Sequence, residues 1–191
     1  KDSATVNTDG LFVMKGDAEL QPGVYLIIMQ PANTYFEILI NRGEQHFSVS
    51  TDTKEIVKKI KFKNSNENEL YYQYLSKVSE KRDQSNKLKE EIKNDPNNPK
   101  LKEKLEKIEL DSDEFQKSLM KKQPKSFTTA LIKASRDVTL PKFEGTEDEI
   151  KDKRYFWYKA HFFDNFDMTD ERLIRSPLLF NRVDYYINKL V

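Results

Sequence analysis

At 191 residues the chain is long enough to bury a core, as one large domain or two small ones. Its 33 basic and 32 acidic side chains leave a formal charge of +1, which argues against the clustered, uncompensated basic field that gathers nucleic acid or anionic lipid. The absence of Cys excludes disulfides, thiolate metal sites and thiol chemistry within these residues, without choosing between oxidising and reducing compartments.

With 34% charged residues and a mean hydropathy of -0.81, the chain would read as disordered if its apolar residues were scattered. They are clustered at the two ends, around a Lys/Glu-rich middle. The longest apolar run, Val24 to Met29, has strand length and falls well short of the roughly 18 to 20 residues a membrane crossing needs. A start at Lys1, without Met or a signal-like segment, reads as a mature or trimmed chain whose targeting peptide, if any, is gone.

Residues 1–63 read as an antiparallel β-meander subdomain. Leu11 to Lys15, Val24 to Met29, Tyr35 to Ile40, Phe47 to Thr51 and Ile60 to Lys63 are short and rich in β-branched and aromatic residues. Between them stand Asp9-Gly10, Pro22-Gly23, Pro31-Ala32-Asn33 and Asn41-Arg42-Gly43, where Gly and Asn supply positive φ and Pro presets φ near −65°. The abrupt Thr5 to Asn7 start suggests that an earlier edge strand is missing.

Residues 64–191 read as a helical domain, giving an α+β fold overall. Asn66 with Glu69 three residues on has the form of a capped helix start. Tyr71, Tyr74, Leu75 and Val78 recur on one face, and Leu88 and Ile92 continue the seam. Asn94 to Pro99 breaks the helix, and Asn98-Pro99 starts the next, on which Leu101, Leu105, Ile108, Phe115 and Leu119 line one face. The product is a long antiparallel helical hairpin ending at Gln123-Pro124. Ser126 caps a third helix in this reading, Glu147 to Phe163 forms a fourth that is apolar on several faces, and Ser176-Pro177 opens an amphipathic last helix. The stretch Lys153 to Val191 holds the single Trp and a concentration of Phe and Tyr, so the core is expected to centre there.

Candidate sites are sparse. Asp164, Asp167, Asp170 and Glu171 are the nearest approach to a metal site, but Phe166 occupies a ligand position of a calcium loop and the central Gly is missing. Asp167 or Thr169 as a helix cap, with Asp170 and Glu171 in a first turn, accounts for the same residues. His161 lies at helical spacing from Asp164, a pairing that could tune a general base, yet no nucleophile is near and the other His, His46, is far along the chain. A packed His with one satisfied nitrogen is the simpler account. Among the aromatic clusters, Tyr72, Phe156, Trp157 and Tyr158 are the candidates for an interaction surface, since flat aromatic faces stack on sugar or base rings. No catalytic, cofactor-binding or metal residue is assigned.

The strings Asn7-Thr8-Asp9-Gly10-Leu11-Phe12, Leu20-Gln21-Pro22-Gly23-Val24-Tyr25-Leu26, Asn68-Glu69-Leu70-Tyr71, His161 to Asp167, Asp170-Glu171-Arg172-Leu173 and Ser176-Pro177 resemble a family of extracytoplasmic bacterial proteins. The resemblance is to the uncharacterised N-terminal region that precedes a thioredoxin-like domain of the AhpC/TSA or TlpA type. It implies a C-terminally placed thioredoxin-like partner domain carrying the redox Cys pair, and for this chain a non-catalytic role in positioning or selecting client proteins. It also implies a periplasmic or membrane-anchored location. The alternative is a ligand-binding module for a glycan or peptide, and a third reading is a hydrolase built on His161 and an acidic partner.

Overall fold

The computed structural model describes residues 2–191. Strand β1 (Gly23–Met29) runs antiparallel to β2 (Thr34–Ile40), with Gly23 opposite Ile40 and Met29 opposite Thr34. The turn closes because Asn33 adopts φ 53° and its side-chain oxygen accepts a 2.7 Å hydrogen bond from Gln30 Nε2. Strands β3 (Ser48–Ser50) and β4 (Lys61–Lys63) pair as a second antiparallel hairpin around a short helix, α1 (Ile56–Lys59). Four of the five expected strand segments are therefore strands, arranged as two separate two-stranded sheets. Leu11 to Lys15 is the exception. It is irregular and exposed, because β-rich composition is expressed only where a cross-strand neighbour is present.

The helical region follows as expected in type and order. Helices α2 (Asn66–Asn94) and α3 (Pro99–Lys122) form the antiparallel hairpin, joined where Asn98 Oδ1 accepts from Lys100 N at 3.1 Å. Toward their base Tyr74 stacks on Phe115, with centroids 6.5 Å apart, and about halfway along Lys81 pairs with Asp111 at 3.0 Å. The start of α2 is one residue earlier than expected: Ser65, not Asn66, is the cap, and the Glu44 carboxylate accepts from both Ser65 Oγ (2.8 Å) and Glu67 N (3.1 Å). Ser126 caps α4 (Phe127–Ser135), accepting from Thr129 N at 2.9 Å. A reciprocal Thr146–Glu149 capping box opens α5 (Glu147–His161). Then come α6 (Glu171–Ile174), α7 (Pro177–Tyr185) and a closing π-helical turn over Tyr186–Leu190. Pro177 starts α7 without a side-chain cap, since Ser176 Oγ donates back to Leu173 O instead.

The core is not centred on the aromatic C-terminal stretch, which contributes Phe166 and Leu173 to a cluster built mainly from β2, α2 and α4. Leu39 and Ile40 of β2, Phe127 and Ile132 of α4, and Leu173 of α6 are almost wholly buried, each contributing about 1.5–3 kcal/mol. By contrast α5, expected to be buried on several sides, has no buried residue, and Phe156 is 65% exposed. Its rings pair locally instead, Tyr155 edge-on to Phe156 and Trp157 stacked on His161 with centroids 4.1 Å apart. Of the stretch from Lys153 on, Phe162, Phe166, Leu173, Ser176 and Leu190 reach the interior.

One contact ties the C-terminal helices to the first strand. Val24 N donates to Arg175 O at 2.9 Å, and this approach is open only because residue 23 is Gly: a Cβ there would lie 2.5 Å from Arg175 Cβ and 2.9 Å from Arg175 O. Gly23→Ala is expected to cost about 1–3 kcal/mol through this overlap. Gly16→Ala, whose nearest neighbour would be 3.8 Å away, should leave the urea midpoint unchanged. Equal midpoints for the two variants would refute the contact.

Candidate functional site

The first turns of α2 hold the chain's densest buried polar cluster. Asn68, Tyr71 and Tyr72 stand at i, i+3 and i+4, so one helix face presents all three to β2. Asn68 is fully buried. Its Oδ1 accepts from Leu39 N at 2.7 Å while its Nδ2 donates to Leu39 O at 2.7 Å and to Ser65 Oγ at 2.9 Å. The side-chain amide thus occupies the strand edge as a neighbouring strand would. Tyr72 Oη donates to Glu37 O at 2.8 Å, and Tyr71 Oη donates to the Glu37 carboxylate at 2.5 Å. Burial, reinforced by the Glu37 charge, pushes the Tyr72 phenol up to about 12 and Tyr71 higher still, so both stay protonated as donors at neutral pH. Flanking this face of α2, one turn before Tyr71, the buried Glu67 carboxylate accepts from Thr128 N (2.8 Å) and Thr128 Oγ1 (2.9 Å), binding the N-terminus of α4.

Two grooves flank α1 against this cluster. The larger, about 940 Å³, runs between α1, the Tyr35–Glu37 end of β2 and the Leu75–Lys87 side of α2. The smaller, about 550 Å³, lies between β4, α1 and α2 and shares Tyr72, Ser76 and Glu80 with it. Their linings alternate Lys with Glu and Asp around hydroxyls and a few apolar side chains, a chemistry suited to an extended polar chain. Neither groove contains a His.

The four candidate surface residues do not come together. Tyr72 is 6% exposed under β2, its phenol engaged with the Glu37 carbonyl, and it lines the two grooves apart from the other three. Phe156 is exposed, whereas Trp157 and Tyr158 are half-buried, the latter donating to Asp137 Oδ1 at 3.3 Å. His161 and Asp164 do meet, Nδ1 to Oδ2 at 2.6 Å, at the exposed end of α5 with Trp157 against the ring and outside both grooves. Among the described residues no group of three or more His, Asp or Glu could hold a metal ion, and no helix is long and apolar enough to cross a membrane.

The acidic run serves as turn and cap. Asp167 accepts from Thr169 N and Oγ1 in a local turn, and Asp170, rather than Asp167 or Thr169, caps α6. Glu171 sits in the first turn of α6 and pairs with Arg42 at 2.8 Å. Asp170 also receives Arg172 Nε at 2.8 Å and Nη2 at 2.7 Å, and these bonds hold its carboxyl below the ordinary carboxylate range although burial opposes them. A folded value depressed in this way gives stability that is complete above the unfolded pKa of about 3.9 and lost as pH falls through the folded one. Asp170→Asn is accordingly expected to cost about 1–2 kcal/mol at pH 7, with the gap to the parent closing below about pH 4. A gap that stays constant across urea titrations from pH 7 to pH 3 would contradict the pairing.

Arg182 was not singled out from the sequence, yet its guanidinium donates to Ala134 O (2.8 Å), Arg136 O (2.7 Å) and Phe162 O (2.8 Å) and lies 5.0 Å from the Phe162 ring centroid. Its one sequence signal is a charged residue set between Leu179 and Val183 on an otherwise apolar stretch.

A family model described as a domain of unknown function, DUF4369, matches residues 1–71. The match takes in both β-hairpins and the first residues of α2, ending at Tyr71 inside the polar cluster; the rest of the helical hairpin and all that follows lie outside it. No curated protein and no solved structure matches the chain.

Proposed function

We propose that this chain is a non-catalytic, partner-positioning domain of an exported thioredoxin-like thiol-disulfide oxidoreductase, acting at the periplasmic or membrane-anchored surface. The family strings support this reading, and the single structural observation that carries it is an apolar face at the C-terminal end. Phe180 (74% exposed), Val183 and Ile187 recur there at helical spacing, with Ile174 beside the start of α7. Exposed apolar side chains gathered at one end suit docking of a folded neighbour. Phe180 and Ile187 would bind it, and the Arg182 lock beneath would keep the face rigid.

The test uses the complete coding region from which the chain derives. Under this reading it encodes a CxxC-bearing thioredoxin-like domain, and Phe180→Glu with Ile187→Glu slows reduction of a client disulfide while leaving reduction of a small disulfide unchanged. A coding region without such a domain, or equal losses on both substrates, would reject it.

A second reading, a peptide- or glycan-binding module, is favoured by the exposed Phe156 on α5, beside Trp157. Titrating peptide and oligosaccharide libraries against the fluorescence of Trp157 addresses it. Saturable binding abolished by Phe156→Ala supports the module; no response from either library counts against it.

A further inference from the structure

The geometry points to Leu11–Lys15 as a strap that closes onto the free edge of β1 as a third, antiparallel strand. The two hydrogen-bonding edges of the first hairpin are treated differently. On the β2 side Leu39 N and O face away from β1 and are held by Asn68, and Glu37 O is held by Tyr72. Leu39 lies opposite Val24, so Val24, and by the two-residue alternation Leu26 and Ile28, turn their N–H and C=O groups away from β2. Val24 N is taken by Arg175 O. Among the described residues no backbone hydrogen bond from outside the hairpin reaches Leu26 or Ile28, and their side chains are 51% and 55% exposed. An apolar edge with unpaired backbone groups is a template for one more strand.

The chain carries a segment of matching chemistry shortly before that edge in sequence. Leu-Phe-Val-Met-Lys has strand composition, holds among the described residues no hydrogen bond to the rest of the fold beyond the Asn7–Leu11 turn, and exposes Leu11, Val13 and Met14 to solvent. Gly16 to Pro22 joins it to β1. Seven such residues span up to roughly 23 Å when extended, ample to reverse direction across a strand spacing of about 4.8 Å. Leu20, bonded through both N and O to the Gln45 side chain, anchors the return. In the register that fits, Val13 lies opposite Leu26 and Leu11 opposite Ile28, and Phe12 and Met14 turn to the face of Ile27 and Met29. A tethered strand outcompetes a separate one because its effective concentration is millimolar, which selects the chain's own segment over a second copy. The strap is a device separate from the proposed redox partnership and does not depend on it.

The natural absence of Cys makes the test direct. Val13→Cys with Leu26→Cys is oxidised in dilute solution beside a control, Val13→Cys with Tyr35→Cys, in which position 35 lies on the same face but one strand further away. The expected result is an intramolecular disulfide in the first pair at least tenfold faster than in the second, with a raised thermal midpoint. Equal rates would show a freely moving segment, dimeric products a strand exchanged between copies, and no cross-link in either pair an open edge; each of these overturns the strap.

Discussion

Replacing Asn68 with Leu is expected to remove about 3–5 kcal/mol of stability, since it leaves Leu39 N–H and C=O unpaired in the interior at about 1–3 kcal/mol each and deprives Ser65 of a partner. Against a typical total of about 5–15 kcal/mol that is a large fraction, and the variant should sit near its unfolding threshold at 37 °C. Asn68→Asp separates the two bonds: it keeps an acceptor for Leu39 N but sets a carboxylate against Leu39 O, so it should be no better tolerated than Leu. Glu69→Gln, one position on and exposed, should shift the urea midpoint by no more than about 0.5 kcal/mol equivalent. A loss below about 1 kcal/mol for Asn68→Leu would mean that the strand edge finds its partners elsewhere.

The second large effect is expected at Arg182. Its three acceptors are carbonyls at the ends of two helices, Ala134 and Arg136 at the end of α4 and Phe162 just past α5, groups that have no partner within the helix and carry its negative pole. Arg182→Ala should cost about 3–5 kcal/mol, from charged donor bonds worth about 1.5–3 kcal/mol each that are shared among groups only partly buried. Arg182→Lys keeps the charge but cannot present the planar fork, and should recover less than half of the loss. Calorimetric unfolding of the three proteins settles the matter; full recovery by Lys would show that a point charge suffices.

Local signals carried much of this architecture. Asn98-Pro99, Ser126 and Pro177 start helices where they were expected to, and Asn33 takes the positive φ that a turn there demands. Each depends on residues within four positions of one another. What escaped was set by partners far apart. The Asn68–Leu39 pairing spans 29 residues and the Arg182 bonds reach back as far as Ala134, distances at which a single sequence carries no register information. The position of the core was misjudged for a related reason: aromatic content measures area available for burial, whereas burial needs a facing element, and α5 has little opposite Phe156. That Tyr72 is mostly covered is likewise invisible in composition and spacing, since neither reports the Glu37 carbonyl that its phenol meets. At the acidic run the cap explanation was right in kind and displaced from Asp167 or Thr169 to Asp170.

The helical hairpin has a consequence of another kind. All the buried residues of α2 fall in its first two turns, α3 has none, and the cross-hairpin ion pair Lys81–Asp111 lies only about halfway along, although α2 runs for about 43 Å. Opening of the outer half therefore breaks little that the rest of the fold depends on. Amide exchange should report two cooperative units, a slow one through Tyr71 and Tyr72 that follows global unfolding and a faster one around Asp95 that does not. The arm can then bend or fray against a neighbour on short timescales while the strand lock at its root stays shut.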